Sequence, residues 1–353
     1  MRRVFIFKQR IRATTFVVLC LSLWIFCHVR AQVQGPVQAP APSVDAAPHA
    51  ALPVLSPLTV PSPTTPKLGL AYELLPRDLQ TKFCDEVREL YQRNKWGVEK
   101  DCSSIQFKVY GWSIKKRPLL AYEAGALDSD KITLIQCGIH GDELPALPMC
   151  LRLIKEIESK SRPIPSKTRI IIMPLLNPDG MFMSKAQRMN SNGVDINRNF
   201  PTKDWAKKAL AEWKSKEKST ERKYPGPQAK SEPETDAIVT FLDKVKPQKI
   251  ISIHTPLGFL DLDAQGGPVQ KRRAKYLAIN MSKNSGNYKF RTFGFYPGSL
   301  GNYAGQERQI PVYTLELPPG GSNATIEQYW KRFRVALWRA IDFDLETGQF
   351  RED

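Results

Sequence analysis

Two hydrophobic patterns alternate along most of the chain. Short apolar runs rich in β-branched residues and bounded by turn-forming residues predict β-strands. Longer segments whose apolar positions recur every three or four residues predict α-helices. The predicted strands are KITLIQCG (131–138), TRIIIMPLL (168–176), KIISIHT (249–255) and PVYTLEL (311–317). The predicted helices cover 143–159, 231–245, 269–284 and 325–345.

Strands that alternate with helices are typical of an α/β fold. We predict one domain over residues 68–353, with a central mixed, mostly parallel β-sheet flanked by helices. Ser231 is followed three residues later by Glu234, directly before an apolar stripe. This spacing is a capping-box pattern, and it predicts that a helix begins at Ser231.

The first 67 residues follow neither pattern. A basic start and an uncharged apolar run over 13–29 have the layout of an export signal. Small residues before position 32 would allow cleavage after Ala31, but the run is close to the lower limit of about 17 residues for a membrane span. Residues 1–31 are therefore either a cleaved signal or an anchor retained in the inner membrane. Residues 32–67, rich in Pro and Ala, are typical of a disordered tether.

The charge of the chain favours an anionic environment. Lys and Arg number 52 against 35 Asp and Glu, a formal net charge of +17. An exported protein in the periplasm or cell envelope would meet an anionic envelope surface there. We expect no nucleic-acid partner, because an exported chain would seldom meet one and the sequence contains no motif for nucleic-acid readout. A solvated basic surface without a dedicated partner is the alternative. For the Lys-rich segment 203–227, a solvated helix and loop is favoured over a substrate-facing flap.

Four cysteines lie outside the export segment: Cys84, Cys102, Cys137 and Cys150. Cysteines in an exported domain commonly form disulfides. Cys137 and Cys150 lie in apolar contexts and are predicted to be buried thiols. Cys84 and Cys102 are the pair expected to be bonded.

Histidine is rare enough for elimination to identify a candidate site. Of the four histidines, His28 and His49 fall in the export segment and the tether. His140 and His254 each lie at the end of a predicted strand, where α/β proteins build their sites. Glu143 follows His140 by three positions. By itself His140 could be a hydrogen-bonded polar residue at a strand end, but two histidines, one carboxylate and an open fourth position compose a catalytic zinc site.

Further polar residues would complete a hydrolase around this metal. Glu316 ends another apolar strand, where a buried carboxylate is costly unless it has a function, such as deprotonating water. Arg188 and Arg198 flank a Gly-containing turn, and their guanidinium groups suit the capture of a carboxylate. Asp195 could accept the remaining N–H of a ligating histidine. Taken singly, each could also be an ordinary surface or turn residue.

Five separated motifs together resemble the zinc carboxypeptidase A family. They are H-x-x-E, NPDG, R-x-N-x-N-G-V-D-I-N-R-N-F-P, S-I-H and T-L-E-L-P, in this order between about residues 105 and 340. The resemblance implies one zinc ion held by His140, Glu143 and His254. It also implies that Glu316 acts as general base and then as general acid.

The resemblance assigns roles to the residues around the metal as well. Arg188 matches the family arginine that polarises the scissile carbonyl and stabilises the oxyanion. Asn197 and Arg198 match the pair that grips the terminal carboxylate of the substrate. Asp195 matches the acid behind the first zinc histidine.

Several segments are closer to the bacterial murein peptide amidase A branch of this family. They are the short connection between Arg188 and Asn197 and residues 224–235, 254–263 and 296–305. Enzymes of that branch cut peptidoglycan stem peptides between γ-D-glutamate and diaminopimelate in the cytoplasm. This chain departs from that pattern because it has a predicted export segment and tether, and this departure favours action on wall peptides outside the membrane.

The predicted function is therefore a zinc-dependent envelope peptidase that cuts stem peptides next to diaminopimelate, as a carboxypeptidase or an amidase. One alternative is a secreted general carboxypeptidase acting on peptides with a free carboxylate. Another is a non-catalytic binder of an anionic envelope polymer, which would need a broken site. The substrate-capping tyrosine of digestive family members has two candidates here, Tyr296 and Tyr303.

Overall fold

The computed structural model describes residues 72–97, 102–320 and 326–351. The predicted export segment (1–31) and tether (32–67) lie outside these residues. No helix in the described part of the chain is long and apolar enough to cross a bilayer.

Helices and strands alternate through most of the described chain. The helices are α1 (Arg77–Arg93), α2 (Ala146–Glu158), α3 (Pro178–Met181), α4 (Trp205–Ser215), α5 (Pro233–Val245), α6 (Pro268–Lys283) and α7 (Ile326–Asp342). The strands are β1 (Lys108–Trp112), β2 (Pro118–Gly125), β3 (Ile132–Cys137), β4 (Arg169–Met173), β5 (Lys249–His254), β6 (Phe259–Asp263), β7 (Phe290–Arg291), β8 (Val312–Glu316), β9 (Phe343–Asp344) and β10 (Gln349–Phe350).

Eight strands form one mixed sheet in the order β1-β2-β4-β3-β5-β8-β6-β7. The four central strands, β4, β3, β5 and β8, are parallel to one another. Strands β1 and β2 add antiparallel pairs at one edge, and β6 lies antiparallel to β8 near the other. The predicted α/β fold with a mixed, mostly parallel sheet is confirmed.

The central strands are apolar on both faces because both faces are covered by helices. In β3, Ile135 and Cys137 belong to a core shared with α1, α2, α6 and α7. Ile132 and Leu134 belong to a second core shared with α5. Successive side chains of a strand point to opposite faces, so an unbroken apolar run supplies both cores. The carboxyl edge of the sheet is left to carry polar groups.

The capping-box prediction for α5 is wrong. The helix begins at Pro233, and its N-cap residue is Glu232, whose side chain makes no capping hydrogen bond. The Ser231 hydroxyl donates to the Glu232 carboxylate at 2.6 Å. The Glu234 carboxylate accepts a hydrogen bond from the backbone N–H of Ile114 at 3.1 Å. The Ser231 hydroxyl also accepts a hydrogen bond from the Asn199 side-chain amide at 3.0 Å. Partners distant in sequence therefore contact both side chains that would have closed the box.

Two disulfides cross-link the domain. Cys84 in α1 is bonded to Cys102, with Cα atoms 5.5 Å apart, as expected. Cys137 at the end of β3 is bonded to Cys150 in α2, with Cα atoms 6.4 Å apart. The prediction that Cys137 and Cys150 are buried is confirmed, but the prediction that they are free thiols is wrong. Helix α2 packs back against the strand before it, which brings the two cysteines together.

Candidate metal centre and active-site cavity

Three polar residues meet at the carboxyl edge of the central strands. His140 lies in the turn after β3, and Glu143 follows in the approach to α2. His254 is the last residue of β5. The turn starts at Gly138, whose φ of +62° suits glycine, and a Cβ there would lie 2.6 Å from Leu175 Cδ1.

Glu143 joins the two histidines. Its Oε1 lies 2.7 Å from Nδ1 of His140, and its Oε2 lies 2.9 Å from Nδ1 of His254. All three residues are buried. One ligand atom from each can be chosen so that all three lie within 4.8 Å of one another. Both imidazoles thus direct Nδ1 toward the Glu143 carboxylate.

This donor set fits zinc. Two imidazole nitrogens and one carboxylate are the three protein ligands of many catalytic zinc sites, which keep a fourth position open. The three residues line a cavity of about 830 Å³, which would supply that open position. Burial raises the pKa of Glu143, but His140 and His254 outweigh this and hold it well below its ordinary value. The ligand carboxylate is thus ionised, as metal binding requires.

Asp195 lies behind His140 and holds Arg188. Its Oδ1 is 3.3 Å from Nε2 of His140, and its Oδ2 accepts a hydrogen bond from Nε of Arg188 at 2.8 Å. Asp195 is fully buried. Burial raises its pKa, but Arg188 and His140 outweigh that effect and keep the pKa far below its usual range. The buried charge is stabilised by these partners.

Arg188 and His140 are also neighbours at the cavity. Nη1 of Arg188 lies 3.2 Å from Nδ1 of His140 and 3.6 Å from Oε1 of Glu143. Asp195 holds the Nε side of the guanidinium, and Nη1 lies beside the candidate metal ligands. Arg188 is thus placed to donate a hydrogen bond to a group bound beside the metal.

Asn197 and Arg198 line the same cavity. The Asn197 amide oxygen accepts a hydrogen bond from the backbone N–H of Leu300 at 2.8 Å. The Arg198 guanidinium stacks over the ring of Tyr296, 4.7 Å from its centroid. Gly298 has a φ of +75°, and a Cβ there would lie 1.9 Å from the carbonyl oxygen of Arg198. The Tyr296 ring thus contacts the guanidinium, and Gly298 packs closely on the backbone of Arg198.

Glu316 ends β8 directly beside His254, because these residues are paired across the parallel strands β5 and β8. Its Oε2 accepts a hydrogen bond from the backbone N–H of Leu257 at 3.3 Å. Burial raises the pKa of Glu316 despite the opposing effect of His254. A carboxyl with a raised pKa suits a group that takes up and returns a proton.

Seven of the eight predicted site residues line the same cavity: His140, Glu143, Arg188, Asn197, Arg198, His254 and Glu316. The eighth, Asp195, lies behind His140. Of the two tyrosine candidates, Tyr296 lines the cavity and is 44% exposed, whereas Tyr303 is fully buried under Arg308. Only Tyr296 is placed to reach a substrate.

Sequence reasoning missed two acidic residues of this cavity, Asp261 and Asp263. Both are on β6, and their alternation with leucine in FLDLD was the available signal. Burial, and then the neighbouring Asp261, raises the pKa of Asp263 to about 7. A π-helical turn passes close to them, since a Cβ on Gly301 would lie 1.9 Å from Oδ2 of Asp263.

The basic segment 203–227 divides into two parts. Helix α4 exposes its lysines to solvent, as the favoured interpretation required. Arg222 and Lys223, further along, line the cavity. Arg222 donates to Asp142 at 2.6 Å, which joins the segment to the turn between His140 and Glu143.

Comparison with known proteins defines the class. A family model described as zinc carboxypeptidase matches residues 97–335. The chain therefore belongs to the zinc carboxypeptidase family and is a zinc-dependent metallopeptidase.

Two relatives are bacterial. The chain is 31% identical to murein peptide amidase A of Vibrio campbellii over 231 residues, covering 65% of this chain and 86% of that protein. It is 29% identical to murein peptide amidase A of Escherichia coli over 225 residues, covering 62% and 84%. The structure of bovine thrombin-activatable fibrinolysis inhibitor shares the fold, with a TM-score of 0.56 and 19% identity over 76% of this chain and 96% of that one.

Proposed function

We propose that this protein is a peptidase of the cell envelope that hydrolyses peptidoglycan stem peptides next to diaminopimelate. The observation that carries this proposal is the similarity to murein peptide amidase A, at 31% identity over 86% of that protein's length. The family match over residues 97–335 includes all the predicted site residues.

The predicted site residues have complementary roles in the proposed reaction. His140, Glu143 and His254 would hold zinc, which supplies Lewis acidity at the scissile carbonyl. Glu316, with its raised pKa, takes a proton from the attacking water and returns it to the leaving amine. Arg188 donates hydrogen bonds to the oxygen on which negative charge develops. Asp195 keeps His140 and Arg188 in place for these steps.

The leaving residue would be held by charges of both signs. Asn197 and Arg198 bind its carboxylate, for which a guanidinium fork is well suited. Asp261 and Asp263 in the same cavity provide carboxylates for an ammonium group. Diaminopimelate carries carboxylates and a side-chain ammonium, so it matches this lining better than an apolar residue would. This pairing of charges favours a leaving residue that carries a side-chain ammonium, as diaminopimelate does, over an apolar one.

The two disulfides support an exported location. Bonds such as Cys137–Cys150 and Cys84–Cys102 persist in the periplasm or outside the cell and are rare in the cytoplasm. We therefore place the peptidase in the envelope, with residues 1–31 as export signal or anchor, residues 32–67 as tether and residues 68–353 as the peptidase domain.

Digestion of purified muropeptides by the zinc-loaded protein, followed by mass spectrometry, tests the proposal. The expected product is a stem peptide shortened at the diaminopimelate bond. Intact muropeptides together with release of ordinary C-terminal residues from other peptides would instead establish the general carboxypeptidase. A Glu316→Ala variant that retains the cellular phenotype of the wild type would point to a non-catalytic binder.

A further inference from the structure

One part of the chain combines positive charge with exposed apolar side chains. Residues 264–306 contain seven Lys and Arg and no Asp or Glu. Helix α6 carries five of these cations. The same helix exposes Val269, Tyr276 and Ile279, at 41%, 52% and 37% of their surface. Scattered exposed apolar residues are ordinary, but their concentration within a cationic helix calls for an explanation.

These side chains share the outward face of α6. Arg272, Tyr276, Ile279 and Lys283 follow one another at helical spacings of three or four residues along one stripe. Lys271 and Lys275, four residues apart, flank this stripe, and all six side chains are exposed. The opposite face is buried, with Ala274, Leu277, Ala278 and Met281 in the core shared with α7. The helix therefore needs no partner for its inner face and leaves the outer face open.

The cations of this outer face are not neutralised by neighbours. Within the described residues, Lys271, Arg272, Lys275 and Lys283 form no ion pair with a carboxylate. Elsewhere in the same helical layer, basic residues do form such pairs: Arg152 contacts Glu327 at 2.8 Å, and Arg334 contacts Glu156 at 2.6 Å. The positive potential of α6 is therefore available to an external anion.

The face is separate from the active site. No residue of α6 lines the cavity that contains His140 and Glu316. A role in positioning the peptide substrate is thus not indicated, and the face can be changed without touching the proposed chemistry.

We propose that the outer face of α6 docks on the surface of an anionic phospholipid bilayer. Lysine and arginine are attracted to anionic headgroups, while Tyr276 and Ile279 would enter the boundary between headgroups and acyl chains. A soluble polyanion would use the cations alone, so the interleaved apolar side chains favour a bilayer. The domain would lie on the membrane rather than cross it. This inference does not depend on the proposed reaction.

Binding of the full-length protein to lipid vesicles tests the inference. Affinity is measured for vesicles of phosphatidylcholine alone and for vesicles that also contain phosphatidylglycerol. The wild type should prefer the anionic vesicles, and the preference should fall as salt is added. Any binding caused by the apolar run at 13–29 would occur with both kinds of vesicle, so the difference in affinity between them reports only the preference for anionic lipid.

Two charge variants separate the contribution of the α6 cations from that of the net charge of the protein. In Lys271→Glu/Arg272→Glu/Lys275→Glu, the affinity for anionic vesicles should fall by at least on the order of 100-fold, since each cation near such a surface contributes about 1 kcal/mol. The matched control, Lys207→Glu/Lys214→Glu/Lys218→Glu, makes the same change of net charge in and beside α4 and should retain most of the affinity. Both variants should keep wild-type melting temperatures and wild-type hydrolysis of soluble peptides.

Equal losses in the two charge variants would overturn the inference, because only net charge would then matter. The variant Tyr276→Ser/Ile279→Ser distinguishes a bilayer from a soluble polyanion. It should bind anionic vesicles several-fold more weakly and bind soluble poly-L-glutamate as the wild type does. Unchanged binding of this variant to vesicles would assign the face to a soluble polymer instead. Loss of peptide hydrolysis without loss of vesicle binding would contradict only the proposed function.

Discussion

Arg188 and Asp195 form a buried ion pair directly behind the candidate metal position, with Nε of Arg188 2.8 Å from Oδ2 of Asp195. The other oxygen of Asp195 faces His140 at 3.3 Å. One carboxylate thus orients both a proposed metal ligand and the proposed oxyanion donor. A single substitution there should disturb both functions.

We expect Asp195→Asn to weaken zinc binding by about 10- to 100-fold, as is usual when the hydrogen-bond partner of a metal-bound histidine is altered. Competition with a chelator measures this affinity. Asp342→Asn is the matched control, because Asp342 is also buried and paired, with Arg162 at 2.5 Å, but lies far along the chain in α7. Equal zinc affinities in the two variants would remove Asp195 from the metal site.

For Glu316→Gln we expect full zinc content and a kcat lowered by about 100- to 10,000-fold, the usual contribution of a general base. Glutamine keeps the shape of the side chain but cannot accept a proton from water. Steady-state kinetics and metal analysis are measured on the same sample. Glu143→Gln is the comparison, since it should lose zinc as well as activity. Wild-type turnover in Glu316→Gln would refute the assigned role.

The disulfide Cys137–Cys150 closes the chain segment that contains His140 and Glu143. We expect Cys137→Ala/Cys150→Ala to lower the free energy of unfolding by about 3 kcal/mol, the scale for a loop of this length. Zinc affinity should fall too, because the ligand turn gains freedom.

Cys84→Ala/Cys102→Ala provides the control for this pair. Its bond closes a chain segment of similar length, with a sequence separation of 18 against 13. The loss of stability should be comparable, and zinc affinity should be unchanged. Urea unfolding and chelator competition, run in parallel, give the two quantities. A parallel loss of zinc affinity in both double variants would indicate a general effect of destabilisation.

Asp261 is expected to contribute to the choice of leaving residue. Asp261→Asn should lower kcat/KM about 10- to 100-fold for a substrate whose leaving side chain carries an ammonium, the scale of a hydrogen bond to a charged group. Substrates with an apolar leaving residue should be affected little. A uniform loss for both kinds of substrate would mean that Asp261 has only a structural role.

Asp263 adds a pH dependence to this preference. Its pKa is raised to about 7, mainly by burial, so its carboxyl gains negative charge as the pH rises through neutrality. The KM for the ammonium-bearing substrate, relative to the apolar one, should therefore fall as pH rises from 6 to 8, roughly one unit on each side of that pKa. Asp263→Asn should flatten the ratio. A ratio that is already flat in the wild type would exclude this contribution.

The lowered pKa of Lys249 makes the stability of the fold depend on pH. Its burial, and secondarily the charge of Arg351, lowers its pKa from 10.5 to about 7. Between these values the unfolded chain keeps a proton that the folded chain has released, so this residue makes stability rise with pH over that window. Lys249→Met should remove this contribution, so the free energy of unfolding of the wild type should rise relative to that of the variant between pH 7 and pH 9, about two units above the folded pKa. Urea unfolding at both values measures it, with the exposed Lys244→Met as control.

The residues of the candidate metal site could be predicted from the sequence for physical reasons. His140 and His254 were the only histidines of the globular part, and both followed apolar strands. The carboxyl ends of parallel strands lie at one edge, so the meeting of these residues followed from the fold class. Glu316 could be included by the same argument.

Other parts depended on contacts that no local pattern contains. Asp261 and Asp263 reach the cavity because β6 pairs antiparallel with β8, and this strand order is not encoded in the segment itself. Cys150 meets Cys137 only after α2 has packed on β3. Ser231 and Glu234 have a local pattern that predicts a cap, yet partners distant in sequence take their side chains. In each case tertiary contacts decided the outcome.

The pairing of His254 with Glu316 has a consequence for redesign of this protein. Neighbouring residues of parallel strands point to the same side of a sheet, and a shift of one residue turns the side chain to the other side. The loops and helices between β5 and β8 can therefore vary in length while the two side chains stay together. A slip of β8 by a single residue would carry Glu316 into the core and leave the binding centre with metal but without its base. An engineered or chimeric enzyme must therefore preserve the register of β8 against β5, whereas the lengths of the loops between them can change.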